Sequence, residues 1–216
     1  MKILVFAPHN DDEVLGVGGT IARYVSEGHE VYVCEVTKSI SEERLKFIRQ
    51  EAREAHKILG VKETFFLDFP VVRLKETPLV ELNEELSRIV TKVKPDIAYI
   101  PHKGDIHMDH YMVSHSAMVA MRPIGDFKVK EIYAYETLSE TEWNIPSVEN
   151  AFIPNVWVDI TEFIEKKKQA MACYKSQIKE PPHPRSNEII EALAKFRGST
   201  ISVPYAESFM LIRKIV

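Results

Sequence analysis

An apolar run near the amino terminus leads directly into a group of ionisable side chains. Residues 3–7 read ILVFA, which is typical of a buried strand, and residues 8–13 read PHNDDE. A histidine and three carboxylic acids at the end of a buried strand are costly for folding unless their charge is compensated, and a divalent cation is an economical means of compensation. The pattern therefore predicts a strand that ends in a metal-binding turn, where we expect the function to lie.

Strand-like and helix-like segments alternate along the first two thirds of the chain, and more of both follow. Strand patterns cover Lys2–Ala7, Glu30–Val36, Thr64–Leu67, Asp96–Pro101, Glu131–Tyr135, Asn155–Val158 and Glu207–Ile215. Helical patterns cover 14–28, 41–60, 78–94, 109–121, Thr161–Tyr174 and Ser186–Arg197. This alternation predicts an α/β fold, with a mostly parallel, doubly wound sheet and helices on both faces. Because no repeat or low-complexity linker interrupts the 216 residues, we expect a single domain over residues 1–216.

Composition and charge narrow the classes of partner. The formal net charge is −4 and no basic patch is concentrated, so nucleic acid is not expected as the main partner. No apolar stretch approaches the roughly 18 residues of a membrane span, so no membrane partner is expected. The two cysteines, Cys34 and Cys173, form no Cys-x-x-Cys pair, and acids follow residue 7 too soon for a signal peptide. We therefore expect a cytoplasmic protein that binds a small molecule, and a homo-oligomer is left open.

The first candidate site is the turn after the first strand. His9 and Asp12 are separated by two residues, and in a tight turn that leads into a helix they can converge on one point. Catalytic zinc commonly takes three protein ligands from His and Asp or Glu and leaves a fourth position for water. Two of the three ligands could come from this turn, and a neighbouring carboxylate that is not a ligand would be placed to accept a proton from the water.

Two other interpretations of this turn are available. Acids are favoured at a helix N-terminus by the helix dipole, but that accounts for one or two acids and not for a histidine with three. Residues 16–20 read GVGGT, as in a nucleotide-binding loop, but such a loop needs glycines directly after the strand, where this chain has acids that would repel a phosphate. We therefore expect the glycines to let the helix pack closely against the sheet.

The second candidate site, residues 107–110, follows the fourth predicted strand and reads HMDH. Because ligands bind at the carboxyl ends of parallel strands, this segment could share a crevice with His9. His110 could supply the third ligand, Asp109 could orient an imidazole, and His107 remains a candidate acid or oxyanion donor. The exchange of roles, with His107 as the ligand, stays open. Three other histidines are interpreted as structural: His29, His56 and His115. The role of His102 is undecided.

Together, the two motifs resemble the LmbE/PIG-L family of zinc-dependent deacetylases of N-acetylglucosamine derivatives, which have a Rossmann-like fold. The first motif of that family usually reads Pro-His-Pro-Asp-Asp-Glu and the second His-x-Asp-His. The resemblance extends over most of the chain, to residues 18–19 (GG), 49–52 (RQEA), 174–177 (YKSQ), 183–186 (HPRS), 197–198 (RG) and 206–209 (AESF). It is strongest to the bacillithiol-type and related small sugar deacetylases. Asn10 stands where the family usually has proline.

By matching position, the resemblance implies a role for each of several residues. One zinc ion per chain would be bound by His9, Asp12 and His110. Asp11 would be the general base. His107, oriented by Asp109, would stabilise the oxyanion or protonate the leaving amine. Beside this, we expect the Asp109 carboxylate to favour the charged form of His107. Arg49 and Arg185 would contact the sugar or its aglycone.

The expected reaction is hydrolysis of the N-acetyl group of an N-acetylglucosamine-containing sugar or glycoside, which releases acetate and the free amino sugar. Two alternatives come from other classes. A non-catalytic, metal-stabilised protein that binds a sugar or nucleotide would have no need of a base at Asp11 or of His107. A metal phosphoesterase would usually need more ligands, for a second metal.

Overall fold

A computed structural model describes residues 1–39 and 41–216, and this part of the chain forms seven strands and six α-helices. The strands are β1 (Lys2–Ala7), β2 (Glu30–Lys38), β3 (Glu63–Pro70), β4 (Ile97–Pro101), β5 (Glu131–Tyr135), β6 (Val156–Asp159) and β7 (Ala206–Lys214). The helices are α1 (Asp12–Ser26), α2 (Glu42–Leu59), α3 (Leu79–Val93), α4 (Met108–Ala120), α5 (Ile164–Cys173) and α6 (Asn187–Ser199). A short 3-10 helix covers Leu74–Glu76. No helix in this part of the chain is both long enough and apolar enough to cross a membrane.

All seven strands form one sheet in the order β3-β2-β1-β4-β5-β7-β6. The first five are parallel, and β7 runs antiparallel to both of its neighbours, β5 and β6. The predicted α/β class, with a mostly parallel sheet in a single domain, is confirmed. The strand β3 is longer than predicted because β2 continues past a register shift to Lys38, which pairs with Pro70. A proline is tolerated there because β3 is an edge strand.

Helices cover both faces of the sheet, and each face has its own hydrophobic core. Along β1, Ile3 and Val5 belong to the core under α1, α2 and α5, whereas Leu4 and Phe6 belong to the core under α3 and α4. The alternation of side chains along a strand produces this division. All four side chains are fully buried, so β1 is the centre of the fold.

Close packing of α1 against the sheet depends on its glycines. A Cβ atom on Gly16 would overlap the ring of Tyr135 on β5, and one on Gly19 would lie 2.7 Å from Ile160. The hydroxyl of Tyr135 donates a hydrogen bond to the carbonyl oxygen of Phe6 at 2.8 Å, which ties β5 to β1 beneath the helix. The prediction that these glycines serve helix packing is confirmed.

The strand order reverses between β1 and β4, because the chain goes from β1 to β2 on one side and later adds β4 on the other. At such a switch point the loops after the two strands separate and leave a crevice at the carboxyl ends of the strands. Residues 8–11 after β1 and residues 102–107 after β4 lie on this crevice. Both predicted motifs are therefore brought to the same edge of the sheet.

Candidate active site

Three side chains from the two motifs present their donor atoms to one point. Asp12 Oδ2 lies 3.3 Å from His9 Nδ1 and 3.2 Å from His110 Nε2, and the two imidazole nitrogens are 3.4 Å apart. A tetrahedral zinc site with bonds of roughly 2.0–2.1 Å to nitrogen and oxygen has neighbouring ligand atoms about 3.3–3.4 Å apart. The donor set and its spacing therefore fit a divalent metal with three protein ligands.

Carboxylates behind the two imidazoles hold the rings in place. Asp109 Oδ2 lies 3.1 Å from Nε2 of His9, and Asp105 Oδ2 lies 2.8 Å from Nδ1 of His110. Each carboxylate bonds the nitrogen that faces away from the common point, so it selects the tautomer that leaves the inner nitrogen free to bind a metal. The Asp12 carboxylate is itself oriented by the backbone N–H of His9, at 2.8 Å.

The charges of this cluster favour a cation at its centre. Burial opposes ionisation of each ligand, but neighbouring groups outweigh it. His110 and His9 hold the pKa of Asp12 well below its ordinary value. Hydrogen bonds to Asp109 and Asp12 raise the pKa of His9 to about 9, and Asp12 and Asp105 raise the pKa of His110 well above its ordinary value. Buried carboxylates thus stabilise positive charge, which protons or a metal ion can supply.

Asp11 is the residue between the strand and the first turn of α1, and its backbone is strained. Its φ is 127°, a conformation that residues with a side chain rarely adopt. Oδ2 accepts a hydrogen bond from Arg185 at 2.9 Å. Burial raises the pKa of Asp11 to about 8; Arg185 opposes this shift, whereas Asp12 and Glu13 reinforce it. A carboxylate with a pKa near neutrality beside a metal site is suited to accept a proton.

His107 caps the N-terminus of α4 and packs against His9. Its ring lies edge-on to that of His9, with 4.4 Å between centroids, and its Nδ1 accepts the backbone N–H of Asp109 at 3.1 Å. Nε2 therefore carries the hydrogen of the neutral ring and is free to donate it. Burial and the charge of His9 lower the pKa of His107 to about 4, so the ring is neutral near pH 7.

The geometry of Asp109 corrects one expectation. The expectation is that its carboxylate orients His107 and favours the charged form of that ring. The carboxylate is instead hydrogen-bonded to His9 and to the backbone N–H of Val72, at 2.7 Å, and lies 3.9 Å from Nδ1 of His107. Asp109 orients His107 through its backbone N–H, because the helix begins at this point and leaves that donor free for a cap.

A cavity of about 530 Å³ opens beside the metal cluster, within the size range of small-molecule sites. His9, Asp11 and His107 line one side. Apolar contacts come from Ile48, Val71 and Val72, and polar ones from Lys38, Ser39, Ser41, Arg44, Glu140, Gln177 and Arg185. A small molecule in this cavity would lie against the metal cluster and Asp11 on one side and against an amphipathic wall on the other.

A family model described as PIG-L, GlcNAc-PI de-N-acetylase, matches residues 4–121, more than half of the chain. The chain belongs to the PIG-L family. It is therefore a deacetylase, which hydrolyses an amide bond. The matched segment contains all three converging side chains, and it ends one residue after α4.

Individual relatives match beyond that segment. The chain is 26% identical to the diacetylchitobiose deacetylase of Thermococcus kodakarensis over 98% of this chain and 83% of that protein. It is 30% identical to the uncharacterized deacetylase YaiS of Escherichia coli K12, over 81% and 90% of the two chains. The crystal structure of the conserved protein TT1542 from Thermus thermophilus superposes with a TM-score of 0.81 at 28% identity, over 99% and 96% of the two chains. The PIG-L fold therefore covers the carboxyl-terminal part of the chain too.

The two arginines that the PIG-L resemblance assigns to the substrate lie in different surroundings. Arg185 lines the cavity, but its guanidinium is bonded to Asp11 and, at 3.1 Å, to Glu140. Arg49 is directed to β3, where it donates to the carbonyl oxygen of Leu67 at 3.0 Å and to Asp68 at 2.9 Å. The structure thus places Arg49 against the neighbouring strand, because the helix α2 presents it to that edge of the sheet.

Sequence reasoning missed Asp105 and Glu140. Asp105 lies in the loop before His110, and the need of a ligand histidine for a partner at its second nitrogen was the signal that could have found it. Glu140 belongs to the loop after β5, and its contact with Arg185 joins segments 45 residues apart, for which no local signal exists. Asn10, in place of the usual proline, leaves the convergence of the ligands intact.

Proposed function

We propose that this chain removes the acetyl group from an N-acetylglucosamine-containing sugar or glycoside, with one zinc ion per chain, and releases acetate and a free amine. The observation that carries the proposal is the triangle of donor atoms at 3.2–3.4 Å with Asp11 and His107 on the same cavity. The family description and the name of the Thermococcus relative support the choice of an N-acetylated glucosamine unit.

His9, Asp12 and His110 would hold the metal. Two imidazoles and one carboxylate suit zinc, which is borderline-soft and binds nitrogen and oxygen in tetrahedral sites. When bound, zinc would supply Lewis-acid polarisation of the acetyl carbonyl and would make water a better nucleophile at neutral pH.

Asp11 would accept the proton of the attacking water. Its Oδ2 is bonded to Arg185, so Oδ1 is the atom left for the proton. With a pKa of about 8, the carboxyl group can both take up and release a proton near neutral pH, and it would pass the proton on to the leaving amine.

His107 would donate a hydrogen bond from its Nε2–H group to the carbonyl oxygen as negative charge develops there. The backbone N–H of Asp109 holds the ring in the tautomer that this role requires. Because the ring is neutral, it acts as a hydrogen-bond donor and not as the acid. A donor of this kind is typically worth about 3–4 kcal/mol in the transition state.

The test is release of acetate and free amine from a panel of N-acetylglucosamine, N,N′-diacetylchitobiose and N-acetylglucosaminyl conjugates of malate and inositol. The zinc-loaded protein should turn over at least one of them, and a chelator should abolish turnover until zinc is restored. His110→Ala should be inactive, whereas His115→Ala, on the exposed face of the same helix, should retain activity. Tight sugar binding without amine release would instead favour the non-catalytic binding protein.

A further inference from the structure

Four buried polar side chains behind the catalytic turn have no part in the chemistry described so far. They come from four segments: Glu13 from α1, Glu35 from β2, His56 from α2 and Tyr174 from the end of α5. None of the four side chains is more than 3% exposed, and none of them lines the cavity. Buried polar groups are costly unless they are hydrogen-bonded, so a group of four calls for a physical reason.

Glu13 is the centre of this group. Its Oε1 accepts a hydrogen bond from the hydroxyl of Tyr174 at 2.6 Å and lies 3.1 Å from Nε2 of His56. The other ring nitrogen of His56 lies 2.8 Å from the hydroxyl of Thr64 on β3, so the imidazole is held at both ends. The second oxygen of Glu13, Oε2, accepts the backbone N–H of Asp11 at 3.2 Å.

We propose that Glu13 is a positioning residue for Asp11, and that Tyr174 and His56 hold Glu13 in place for this purpose. The inference rests on the proposed role of Asp11 as general base. Asp11 is held from both sides: Glu13 bonds its N–H, and the N–H groups of Val14 and Leu15 bond its carbonyl oxygen at 3.0 and 2.9 Å. A strained backbone, such as a φ of 127°, persists only where its surroundings determine it, and here it directs the carboxylate to the cavity.

Two simpler explanations account for less. An acid in the first turn of a helix is favoured by the helix dipole, but that effect needs neither full burial nor donors from two other helical segments. A second metal ion could be suggested for Glu13, Glu35 and His56, which lie close together. However, both oxygens of Glu13 already have protein partners. Only Glu35, whose buried oxygens have no hydrogen-bond partner in the described part of the chain, would be left to bind an ion, because His56 is already bonded at both ring nitrogens. Burial and the charge of Glu13 also raise the pKa of Glu35 well above its ordinary value, which favours its neutral form.

The first test compares two substitutions of the same residue. Glu13→Ala removes the acceptor for the Asp11 N–H, and Glu13→Gln restores an amide oxygen in its place. We expect Glu13→Ala to lower kcat about 100-fold, the usual cost of misplacing a catalytic group by 1 Å. KM and zinc content should stay within about twofold of the wild type, since the Glu13 side chain does not line the cavity and its hydrogen bonds go to Asp11, His56 and Tyr174. The kcat of Glu13→Gln should be at least about tenfold higher than that of Glu13→Ala.

The second test keeps the proposal open to refutation if Glu13→Ala does not fold. Tyr174→Phe removes one buried hydroxyl and keeps the ring, and Tyr99→Phe does the same at a tyrosine whose hydroxyl contacts Tyr24. We expect a fall in kcat of about tenfold for Tyr174→Phe and none for Tyr99→Phe. Glu207→Gln is the matched control for Glu13, because Glu207 is also a buried acid and accepts hydrogen bonds from the N–H groups of Gly19 and Thr20, farther along α1. It should retain the wild-type kcat.

The outcomes separate this inference from the proposed function. If the zinc-loaded wild type releases no amine, the proposed function fails. If the wild type is active and folded Tyr174→Phe matches its kcat, the positioning role is refuted, whether or not Glu13→Ala folds; a folded Glu13→Ala with the wild-type kcat refutes it as well. The role is also refuted if Tyr99→Phe and Glu207→Gln lose as much kcat as their counterparts, or if a second equivalent of zinc binds the wild type and is lost in Glu35→Gln.

Discussion

Two buried clusters in the described part of the chain bring histidine and carboxylate together, and they differ in which atoms the protein leaves available. In the cluster of His9, Asp12 and His110, the donor atoms have one another as near neighbours, and other carboxylates bond the outer nitrogens. In the cluster around Glu13 and His56, protein groups already bond both oxygens of Glu13 and both ring nitrogens of His56, whereas the buried oxygens of Glu35 have no hydrogen-bond partner in the described part of the chain. Proximity of His and Glu therefore does not by itself make a metal site; the donor atoms must also be free and must face a cavity.

The strongest test of this difference between the two clusters is to remove a histidine from each. We expect His9→Ala and His110→Ala to lose zinc and to lose at least about 10³-fold in activity, because Lewis-acid stabilisation is worth several kcal/mol. His56→Gln should retain about one equivalent of zinc, as a three-ligand site binds it, even if its kcat falls. Elemental analysis after dialysis measures this. Loss of zinc from folded His56→Gln would show that the two clusters are not distinct.

The next substitution separates the proposed base, Asp11, from the proposed ligand beside it, Asp12. Asp11→Asn should keep the fold and the metal and lose about 10²–10⁴-fold in kcat, because an amide cannot accept the proton of the water. Asp12→Ala should lose the metal as well. Zinc content and kcat are measured on the same preparation. Turnover by Asp11→Asn within a few-fold of the wild type would exclude Asp11 as the base.

His107 is expected to act in the transition state alone. His107→Ala should lower kcat about 10²–10³-fold with little change in KM, as removal of an oxyanion donor does. It should keep its zinc. The opposite result, a zinc-free His107→Ala beside a zinc-loaded His110→Ala, would exchange the roles of the two histidines.

The carboxylates behind the ligands should have smaller effects. Asp105→Asn and Asp109→Asn should each weaken zinc affinity about 10–100-fold, the usual cost of removing an outer partner of a ligand histidine. Competition with a chelator measures the affinity. Asp96→Asn, which alters a carboxylate bonded to the backbone N–H of Lys2 and not to a histidine, is the control and should leave the affinity unchanged. Because Asp109 contacts His9, its loss should affect metal binding more than it affects the role of His107.

The parts of this molecule that were predictable depend on local pattern. The strand β5 has the predicted bounds, Glu131–Tyr135, because its apolar run is short and flanked by polar residues. The convergence of His9, Asp12 and His110 follows from their position after parallel strands. The partner of Asp109 was not predictable, since the choice between His9 and His107 depends on ring positions in three dimensions. The bond between Asp11 and Arg185 joins residues 174 positions apart, so no spacing rule reaches it.

The smallest expected effect concerns the pH dependence of stability at Glu35, in the cluster around Glu13 and His56. Burial and the charge of Glu13 raise the pKa of Glu35 well above its ordinary value of 4.5. In the unfolded chain Glu35 ionises above that value, whereas in the folded protein its ionisation is shifted to higher pH. Its contribution to the free energy of unfolding is therefore fully present below pH 4.5 and is lost as the pH rises toward the folded pKa.

Glu35→Gln keeps a neutral side chain of the same shape that does not titrate. The melting temperature of Glu35→Gln, relative to that of the wild type, should therefore rise between about pH 5 and pH 8, by roughly 2–4 °C for each kcal/mol of linkage in a chain of this size. Both proteins are measured with zinc bound, so that pH effects on the metal cluster cancel in the difference. Glu207→Gln, at a buried acid paired with Lys167 at 2.6 Å, is the control and should not show the same rise. A difference between Glu35→Gln and the wild type that does not change with pH would mean that Glu35 is ionised in the fold, and the distinction between a neutral and a metal-binding cluster would have to be redrawn.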